Sequence, residues 1–224
     1  MRAGQVKPCI LAVDTTHEFG SLALARGEDL LEELPLHAPT GFAHVLYQHL
    51  AELLRNHGLQ VADIDCFAAA SGPGSFTGVR VGLACVKGLA EALGKPAVAV
   101  SNLQALATFG SAPLRAVVLD ARRGEIYGAV YDSSARIVSP EVVAKFPEWL
   151  STLPCGEVEF ISQESLALQS MLAGTAFEPA RVTIAPRSLG AAIARLAFSA
   201  APSDPAALDA NYVRRSDAEL FWKE

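Results

Sequence analysis

The sequence predicts an α/β fold made of two lobes with a common topology. Short apolar runs typical of buried strands alternate with segments of helical period, which favours a mixed or parallel sheet with helices packed on it. The segments CILAVDTTHEFGSLALA, from residue 9, and RAVVLDARRGEIYGAVY, from residue 115, share the order strand, aspartate, turn, strand. We interpret this weak internal repeat as two lobes, residues 1–104 and 105–224, and not as an array of repeats.

The first lobe begins with a strand, a hairpin and a further strand. Residues 9–14 are apolar up to a final aspartate, and the polar turn of Asp14, Thr15 and Thr16 follows. A continuous apolar run of this length is typical of a strand buried on both faces. The other strands predicted in this lobe cover residues 20–25, 30–36, 64–71 and 97–100.

A first helix is predicted over about residues 41–57, with Thr40 as its N-cap. Leu46 and Leu50 lie on its apolar side. Histidines in this segment are separated by five and eight residues, whereas a helical metal site needs two ligands four residues apart. The sequence therefore predicts no metal site here.

The most distinctive segment is SGPGSFTGVRVGLACVKGLAEALGKP, residues 71–96. Its glycine and proline start predicts a turn, after which Ser75 or Thr77 can cap a helix that runs to about Leu93, with Gly94 as its stop. The spacing of the glycines fits neither a Walker loop nor a dinucleotide fingerprint nor a nucleophile elbow. Backbone amides at the helix start could still hold an anion weakly.

Two faces of this second helix differ in composition. One has the spacing of a core face and comprises Val79, Leu83, Val86, Ala90 and Leu93. The other consists mostly of small residues, namely Gly78, Gly82, Cys85, Leu89 and Ala92. Glycine within a helix costs about 1 kcal/mol relative to alanine, so a close approach of other backbone must offset it. Either a partner helix or tight packing within the lobe explains this stripe, and Arg80 would edge such a contact or be solvated.

The second lobe starts in the same way as the first. Residues 115–120 form a strand that ends in Asp120, and residues 125–131 form the returning strand. The remaining predicted elements are a strand at 136–139, a helix at 147–153, a strand at 158–162, and helices at 164–173 and 188–201. The tail from Ser203 has no clear period and is expected to pack along the outside, with the first lobe as one place for it, or to reach a partner.

Asp14 and Asp120 each stand at the end of a strand. Together with Thr15 and Thr16 they are the candidates for binding a nucleotide phosphate or a magnesium ion. The alternative is that each is a turn aspartate bonded to its own backbone. No base, nucleophile or lysine clusters with them in the sequence, so no catalytic residue is predicted.

Composition excludes several classes of function. The net charge is −6 and no basic run is present, which makes autonomous binding to nucleic acid unfavourable. The apolar run near the N-terminus is too short to be a signal or a spanning segment, so a cytoplasmic protein without membrane contact is expected. Four isolated cysteines are expected to be reduced thiols.

Several segments resemble the TsaB (YeaZ) family of bacterial tRNA threonylcarbamoyladenosine synthesis. The most specific is GPGSFTGVRVG at residues 72–82. The others are ILAVDTT at 10–16, VSNLQALA at 100–107, DARRGEIY at 120–127 and NYVRRSDAE at 211–219. The resemblance covers most of the chain in the expected order.

This resemblance implies a two-lobed fold like those of actin and sugar kinases. It also implies a non-catalytic scaffold for TsaD, the subunit that transfers the threonylcarbamoyl group to adenosine 37 of tRNAs that read codons beginning with A. The first two helices would join those of TsaD, or of a second copy in a homodimer without TsaD. The residues expected at this contact are Leu46, Leu50, Gly78, Arg80, Gly82, Cys85 and Leu89.

Further expectations concern the remaining partners. The ATPase TsaE would join the complex, tRNA would be reached only through the complex, and ATP with magnesium would bind only there, with no cofactor held strongly by the chain alone. The competing hypothesis is an enzyme: a nucleotide-dependent ATPase or phosphotransferase using Asp14 and Asp120, or a glycoprotease-like peptidase.

Overall fold

The computed structural model describes residues 7–213, which form two α/β units. The strands are β1 (Cys9–Asp14), β2 (Phe19–Arg26), β3 (Asp29–His37), β4 (Cys66–Ala70), β5 (Ala97–Val100), β6 (Leu114–Arg122), β7 (Glu125–Asp132), β8 (Ile137–Ala144), β9 (Val158–Ser162) and β10 (Arg181–Ile184). The helices are α1 (Leu46–Asn56), α2 (Phe76–Leu93), α3 (Asn102–Ala107), α4 (Phe146–Leu150), α5 (Ser165–Leu172) and α6 (Gly190–Ser199).

Each unit contains one five-stranded mixed sheet, and the two sheets have the same topology. The strand order is β3-β2-β1-β4-β5 in unit one and β8-β7-β6-β9-β10 in unit two. In both, the first three strands are antiparallel neighbours and the last two pair in parallel. This is the duplicated α/β fold that the internal repeat predicts.

In unit one the sheet is covered on both faces. Alternate residues of β1, such as Leu11 and Val13, join the buried apolar side chains of α1 and α2. On the opposite face α6 packs so closely that a Cβ on Gly190 would lie 3.1 Å from Cβ of Ala23. Asp14 pairs with Ser21 across the β1–β2 hairpin, which places its side chain on the α6 face.

Unit two has its own core on one face of its sheet. Phe160 of β9 is fully buried and makes edge contacts with the rings of Trp149 and Phe177. α4 and α5 contribute further apolar side chains to this core, as do β6 and β7, and α3 lies against β6, β7 and β9. α3 and β10 were not predicted from the sequence.

The first helix begins later than the sequence predicts. α1 starts at Leu46, and Thr40 does not cap it, because Gly41 has φ of +97° and starts a separate turn. Phe42 in that turn is buried and its carbonyl accepts hydrogen bonds from the backbone N–H groups of Val45 and Leu46. The turn thus anchors the chain before the helix can start.

After unit two, the segment Ser188–Ala210 belongs to unit one. The sequence placed the helix near residue 190 in the second lobe, whereas unit one contains Ser188–Ala210 as well as the chain up to Ser101. Unit two contains Asn102–Arg187 and begins again at Asn211. Packing of α6 on β1 and β2, which are far from it in sequence, is the physical reason for this difference.

A strap formed by residues 202–210 follows α6 and lies on unit one. Ser203 exchanges two backbone hydrogen bonds with Ala97, of 3.1 and 3.0 Å. Lys87 Nζ of α2 donates to the carbonyl oxygens of Ala206 (3.2 Å) and Leu208 (2.9 Å), and the Leu208 side chain is buried. The strap therefore covers one flank of α2, whereas the predicted tail beyond residue 213 lies outside the described residues.

None of the helices between residues 7 and 213 is both long and apolar enough to cross a membrane.

Candidate functional site

The turn after β1 carries the residues proposed from the sequence to bind phosphate. Asp14, Thr15 and Thr16 have exposed fractions of only 1%, 2% and 0%. Asp14 Oδ1 accepts hydrogen bonds from the Thr16 backbone N–H (3.0 Å) and from the Thr16 hydroxyl (2.7 Å). Burial raises the pKa of Asp14 above its ordinary value, and the two bonds from Thr16 oppose that shift. Asp14 is thus a turn aspartate bonded to its own backbone, in a buried setting.

The first turn of α2 lies directly against this β1–β2 turn. The Thr15 hydroxyl donates to the carbonyl oxygen of Gly78 (2.7 Å), and the Ser75 backbone N–H donates to that of Thr16 (2.7 Å). A Cβ on Gly74 would lie 2.7 Å from the Thr16 carbonyl oxygen, and one on Gly78 would overlap the Thr15 carbonyl oxygen. The glycines of this segment therefore allow α2 to pack closely against the β1–β2 turn.

The contact between α2 and the β1–β2 turn shows what packs against the small-residue stripe of α2. A Cβ on Gly82 would lie 2.7 Å from the Thr15 hydroxyl oxygen, so Gly78 and Gly82 both face the β1–β2 turn. Cys85 is buried, and Leu89 is half-buried against the unit-one core. Of the two explanations offered by the sequence, tight packing within one lobe accounts for the two glycines.

The leucines of α1 that the resemblance places at a partner contact also lie inside unit one. Leu46 and Leu50 have exposed fractions of 1% and 5%, so their side chains fill the core in the structure. Arg80, in contrast, is exposed, and its guanidinium carbon lies 3.5 Å from the centroid of the Phe76 ring. This geometry is a cation–π contact on the surface of α2.

The exposed side of α1 and α2 has a different set of residues. We call it the outer face, and it comprises Tyr47, Phe76, Arg80, Ala84 and Gly88. Tyr47 is 59% exposed and Phe76 is 44% exposed, which is unusual for large aromatic residues. A Cβ on Gly88 would meet no atom within 4 Å. The sequence does contain a signal for this face, because both aromatic residues fall outside the phase of the buried stripes.

Tyr47 also connects the two helices. Its hydroxyl lies against the thiol of Cys85, which raises the pKa of Tyr47 above its ordinary value. Burial raises the pKa of Cys85 to about 11, so this thiol stays protonated at neutral pH. The ring of Tyr47 is therefore held at the junction of α1 and α2 while most of its surface remains exposed.

The N-terminus of α6 lies on the same face of the sheet as Asp14. Side chains of unit one accept hydrogen bonds from its first backbone N–H groups. Ser21 Oγ accepts from the Gly190 N–H (2.8 Å), and Glu33 Oε1 accepts from the Ala191 N–H (2.9 Å). A carboxylate at this end of a helix is favourable because it meets the positive end of the helix dipole. His17 lies near Asp14, and its Nε2 is buried without a hydrogen-bond partner in the described residues.

Asp120 occupies the corresponding turn of unit two. Its Oδ1 accepts a hydrogen bond from the Arg122 backbone N–H (2.7 Å), just as Asp14 accepts from the residue two positions on. Asp120 is exposed, however, whereas Asp14 is buried. The repeated aspartates thus share a local turn and differ in environment.

Two histidines of the first helical segment each lie beside one carboxylate. His57 Nε2 lies 2.7 Å from Glu32 Oε2, and His49 Nδ1 lies 3.7 Å from Glu52 Oε2. Within residues 7–213, no group of three or more His, Cys, Asp or Glu side chains is arranged to hold a metal ion.

Comparison with known proteins gives a consistent set of relatives. Residues 34–205 match the family model described as TsaD: tRNA N6-adenosine threonylcarbamoyltransferase. The tRNA threonylcarbamoyladenosine biosynthesis protein TsaB of Bacillus subtilis is 28% identical over 226 residues, covering 96% of this chain and 98% of that protein. The TsaB protein of Escherichia coli is 31% identical over 156 residues, covering 63% of this chain and 67% of that protein.

Solved structures show the same fold. YeaZ from Pseudomonas aeruginosa superposes with a TM-score of 0.74 at 24% identity, covering 92% of this chain and 99% of that chain. At this identity the comparison bears on the fold, and it matches the two-sheet architecture described above.

Proposed function

Because the chain belongs to the TsaB family, we propose that it acts in tRNA threonylcarbamoyladenosine biosynthesis as a non-catalytic partner of a TsaD transferase. The curated TsaB relatives are named for this pathway, and the matching family model is that of TsaD itself. The family thus acts alongside TsaD. The non-catalytic role and the surface that binds TsaD are our proposal.

The observation that carries the non-catalytic role is the filled turn after β1. A phosphate bound at Asp14, Thr15 and Thr16 would need free donors, but the hydroxyls of Thr15 and Thr16 already donate to Gly78 and Asp14. Burial also disfavours the ionised form of Asp14, which is the form that a magnesium ion accompanying a phosphate would need. These contacts support a structural role for the turn, which is to hold α2 in place. They do not favour binding of a nucleotide there.

The outer face is the surface that we propose for TsaD. Aromatic and arginine side chains are enriched at the anchoring points of protein interfaces, and here Tyr47, Phe76 and Arg80 provide them. Gly88 and Ala84 lie beside them and leave room for a second helix to approach. The buried residues Leu46, Leu50, Gly82 and Cys85 would then support this surface from behind, while Gly78 and Leu89 lie partly exposed near its edge.

The rest of the assembly follows from the same proposal. A second copy of the chain would use the outer face when TsaD is absent, giving a homodimer. TsaE would join the complex of the two proteins, and ATP with magnesium would bind in that complex. tRNA would be bound by the complex, since the net charge of −6 opposes binding by this chain alone.

Sedimentation of the chain with its cognate TsaD tests this proposal. Gly88→Leu places a bulky side chain where the structure leaves open space, so the variant should fold as well as the native chain. Ser199→Leu adds a similar side chain at an exposed position of α6 and is the matched control. We expect Gly88→Leu to weaken the complex at least about tenfold, and Ser199→Leu to leave it unchanged.

Two results would contradict the proposal. Equal binding of TsaD by Gly88→Leu and the native chain would remove the outer face from the interface. Steady turnover of ATP by the purified chain alone, abolished by Asp14→Asn, would contradict the non-catalytic role and favour the competing enzyme hypothesis.

A further inference from the structure

The strand β8 presents an apolar surface at the edge of the second sheet. It is the last strand of that sheet, so one of its edges pairs with β7 and no described strand pairs with the other. Ile137 and Val138, at its start, have exposed fractions of 57% and 47%. Further along the strand, Val142 and Ala144 pack against the unit-two core. We call Ile137 and Val138 the β8 patch.

An irregularity in the ladder explains why two consecutive residues are both exposed. Val130 of β7 pairs with Ser139, and the next residue, Tyr131, pairs with Ile137. Val138 is therefore the extra residue of a bulge, where the usual alternation of side chains between the two faces of a strand is interrupted. Single exposed apolar residues are common on proteins, but an adjacent pair on an edge strand favours association with other chain segments. Proteins usually cover such an edge.

The chain that follows the strap arrives at this strand. Asn211 Nδ2 donates a hydrogen bond to Glu141 Oε2 of β8 (2.5 Å). The other oxygen of the same carboxylate accepts from the Tyr131 hydroxyl of β7 (2.5 Å), which fixes the position of Glu141. Val213, the last residue that the structure describes, follows Asn211 by two positions. The next part of the chain therefore starts beside β8, four positions along that strand from Ile137.

The segment that comes next contains one apolar run. Residues 214–224 read RRSDAELFWKE, in which Leu220, Phe221 and Trp222 stand between charged residues on both sides. We call residues 214–224 the distal segment. Each large aromatic side chain buries about 150–250 Å² when it is covered, so this run gains most from contact with an apolar surface.

The distal segment is long enough to reach the β8 patch. Leu220 follows Val213 by seven residues, and an extended chain spans about 3.3 Å per residue, so the run can lie up to about 23 Å from Val213. The four residues from Glu141 to Ile137 cover about 13 Å of strand. The apolar run can therefore fold back along β8 as far as the patch.

We propose that the run Leu220, Phe221 and Trp222 covers the β8 patch of its own chain. Apolar contact with Ile137 and Val138 holds it there, while the charged residues on either side of the run remain in solvent. This inference concerns unit two alone and does not depend on the proposed function. The other places for the run are an exposed apolar pair in unit one, Leu30 and Leu31, and the β8 patch of a second copy.

Quenching of tryptophan fluorescence by acrylamide tests the proposal on the full chain. The sequence has two tryptophans, and Trp149 is only 3% exposed, so the quenchable emission reports on Trp222. A Trp222→Phe chain gives the remaining signal of Trp149 for subtraction. We expect Trp222 of the native chain to be quenched several-fold less than in the chain unfolded in urea.

A matched pair of double variants then identifies the surface that protects Trp222. Ile137→Thr/Val138→Thr removes the apolar groups of the patch and keeps β-branched side chains that favour a strand. We expect it to lower the ratio of covered to exposed Trp222 at least about tenfold. Leu30→Thr/Leu31→Thr makes the same kind of change at exposed positions of β3, the edge strand of the first sheet, and should leave the ratio unchanged. Circular dichroism checks that both variants fold.

Cross-linking distinguishes the chain's own patch from that of a second copy, and it leaves the apolar residues in place. Cys155, the exposed cysteine of the described residues, is first replaced by serine. Arg136→Cys/Lys223→Cys is then treated with a short bismaleimide, and Glu28→Cys/Lys223→Cys, next to Leu30, is the control. Positions 136 and 28 are both exposed. We expect the first pair to cross-link within one chain, at least about tenfold faster than the control pair.

Several results would overturn the inference. One is quenching of native Trp222 to the same extent as in the unfolded chain. Another is protection of Trp222 that persists in Ile137→Thr/Val138→Thr or is lost in Leu30→Thr/Leu31→Thr. Cross-links found only between two chains would assign the run to a second copy, and faster cross-linking of the Glu28→Cys pair would assign it to unit one. Each of these results leaves the proposed function unaffected.

Discussion

The Thr15 hydroxyl donates a hydrogen bond of 2.7 Å to the carbonyl oxygen of Gly78, so the turn after β1 is tied to the first turn of α2. The two residues are 63 positions apart in the chain. Their contact requires glycine at position 78, because any Cβ there would overlap the Thr15 carbonyl oxygen. This contact explains why the most distinctive segment of the sequence has a glycine at position 78. It also helps to bury the turn that the sequence offered as a candidate phosphate site.

Gly78→Ala should destabilise the protein by about 2–3 kcal/mol, since the added methyl group must displace backbone. Gly88→Ala, in the same helix, is the matched control. Its Cβ meets open space, so we expect it to raise the free energy of unfolding by about 0.5–1 kcal/mol. Urea unfolding followed by circular dichroism measures both. Similar values for the two variants would show that the contact with Thr15 is not tight.

Asp14→Asn should make the protein more stable at neutral pH, because burial raises the pKa of Asp14. A raised folded-state pKa means that the stabilisation by protonated Asp14 is full below the ordinary value of 3.8. It is lost as pH rises through the raised pKa. Asparagine keeps an oxygen to accept from Thr16 and carries no charge to desolvate.

The difference in free energy of unfolding between Asp14→Asn and the native chain should therefore grow from pH 4 to pH 7. Asp120→Asn makes the same chemical change at the exposed turn of unit two and is the control. A difference for Asp14→Asn that shrinks toward neutral pH would contradict the assigned direction.

Lys87→Met should loosen the strap, because Lys87 donates to two of its carbonyl oxygens. We expect the free energy of unfolding to fall by about 1–2 kcal/mol. Hydrogen exchange of the Ala97 N–H, which donates to the Ser203 carbonyl oxygen, should become faster. Lys95→Met removes an ion pair of 3.5 Å to Asp65 that is partly exposed, and should cost less than about 0.5 kcal/mol. Unaltered exchange at Ala97 in Lys87→Met would show that the strap is held by Leu208 alone.

Alkylation should distinguish the four cysteines. Cys155 is exposed, whereas Cys9, Cys66 and Cys85 are buried. Burial raises the pKa of Cys66 and of Cys85 to about 11, and it also raises that of Cys9. Iodoacetamide at pH 7.5–8 should therefore modify Cys155 at least about tenfold faster than the others in the native protein. Mass spectrometry of the digested protein measures this, and rapid modification of Cys85 would indicate that α1 and α2 separate readily.

Local signals predicted the extent of α2 closely. Of the two caps that the sequence offered, Ser75 and not Thr77 is the N-cap. Gly94 at φ of +61° ends the helix, and its core stripe is buried except for Leu93, which is half-buried. The start of α1 was missed because Thr40 has the identity of a cap but precedes a glycine in a left-handed turn. The period of the sequence identifies which face of a helix is buried. Which residues pack against that face depends on the tertiary fold.

The candidate site shows the same limit. Small residues at Gly78 and Gly82 correctly indicated a close approach, but only the fold identified the β1–β2 turn as the neighbour. Asp14 and Asp120 look equivalent in sequence, yet one is buried beside α6 and the other is exposed. Because α6 comes from the far end of the chain, nothing local to β1 could reveal that burial.

The position of α6 also sets an order of events during synthesis. Its first residue, Gly190, donates to Ser21, which lies 169 positions earlier in the chain. Unit one therefore cannot close until α6 has left the ribosome, although its sheet is made first. A nascent chain halted near residue 187 would present one uncovered face of that sheet to chaperones.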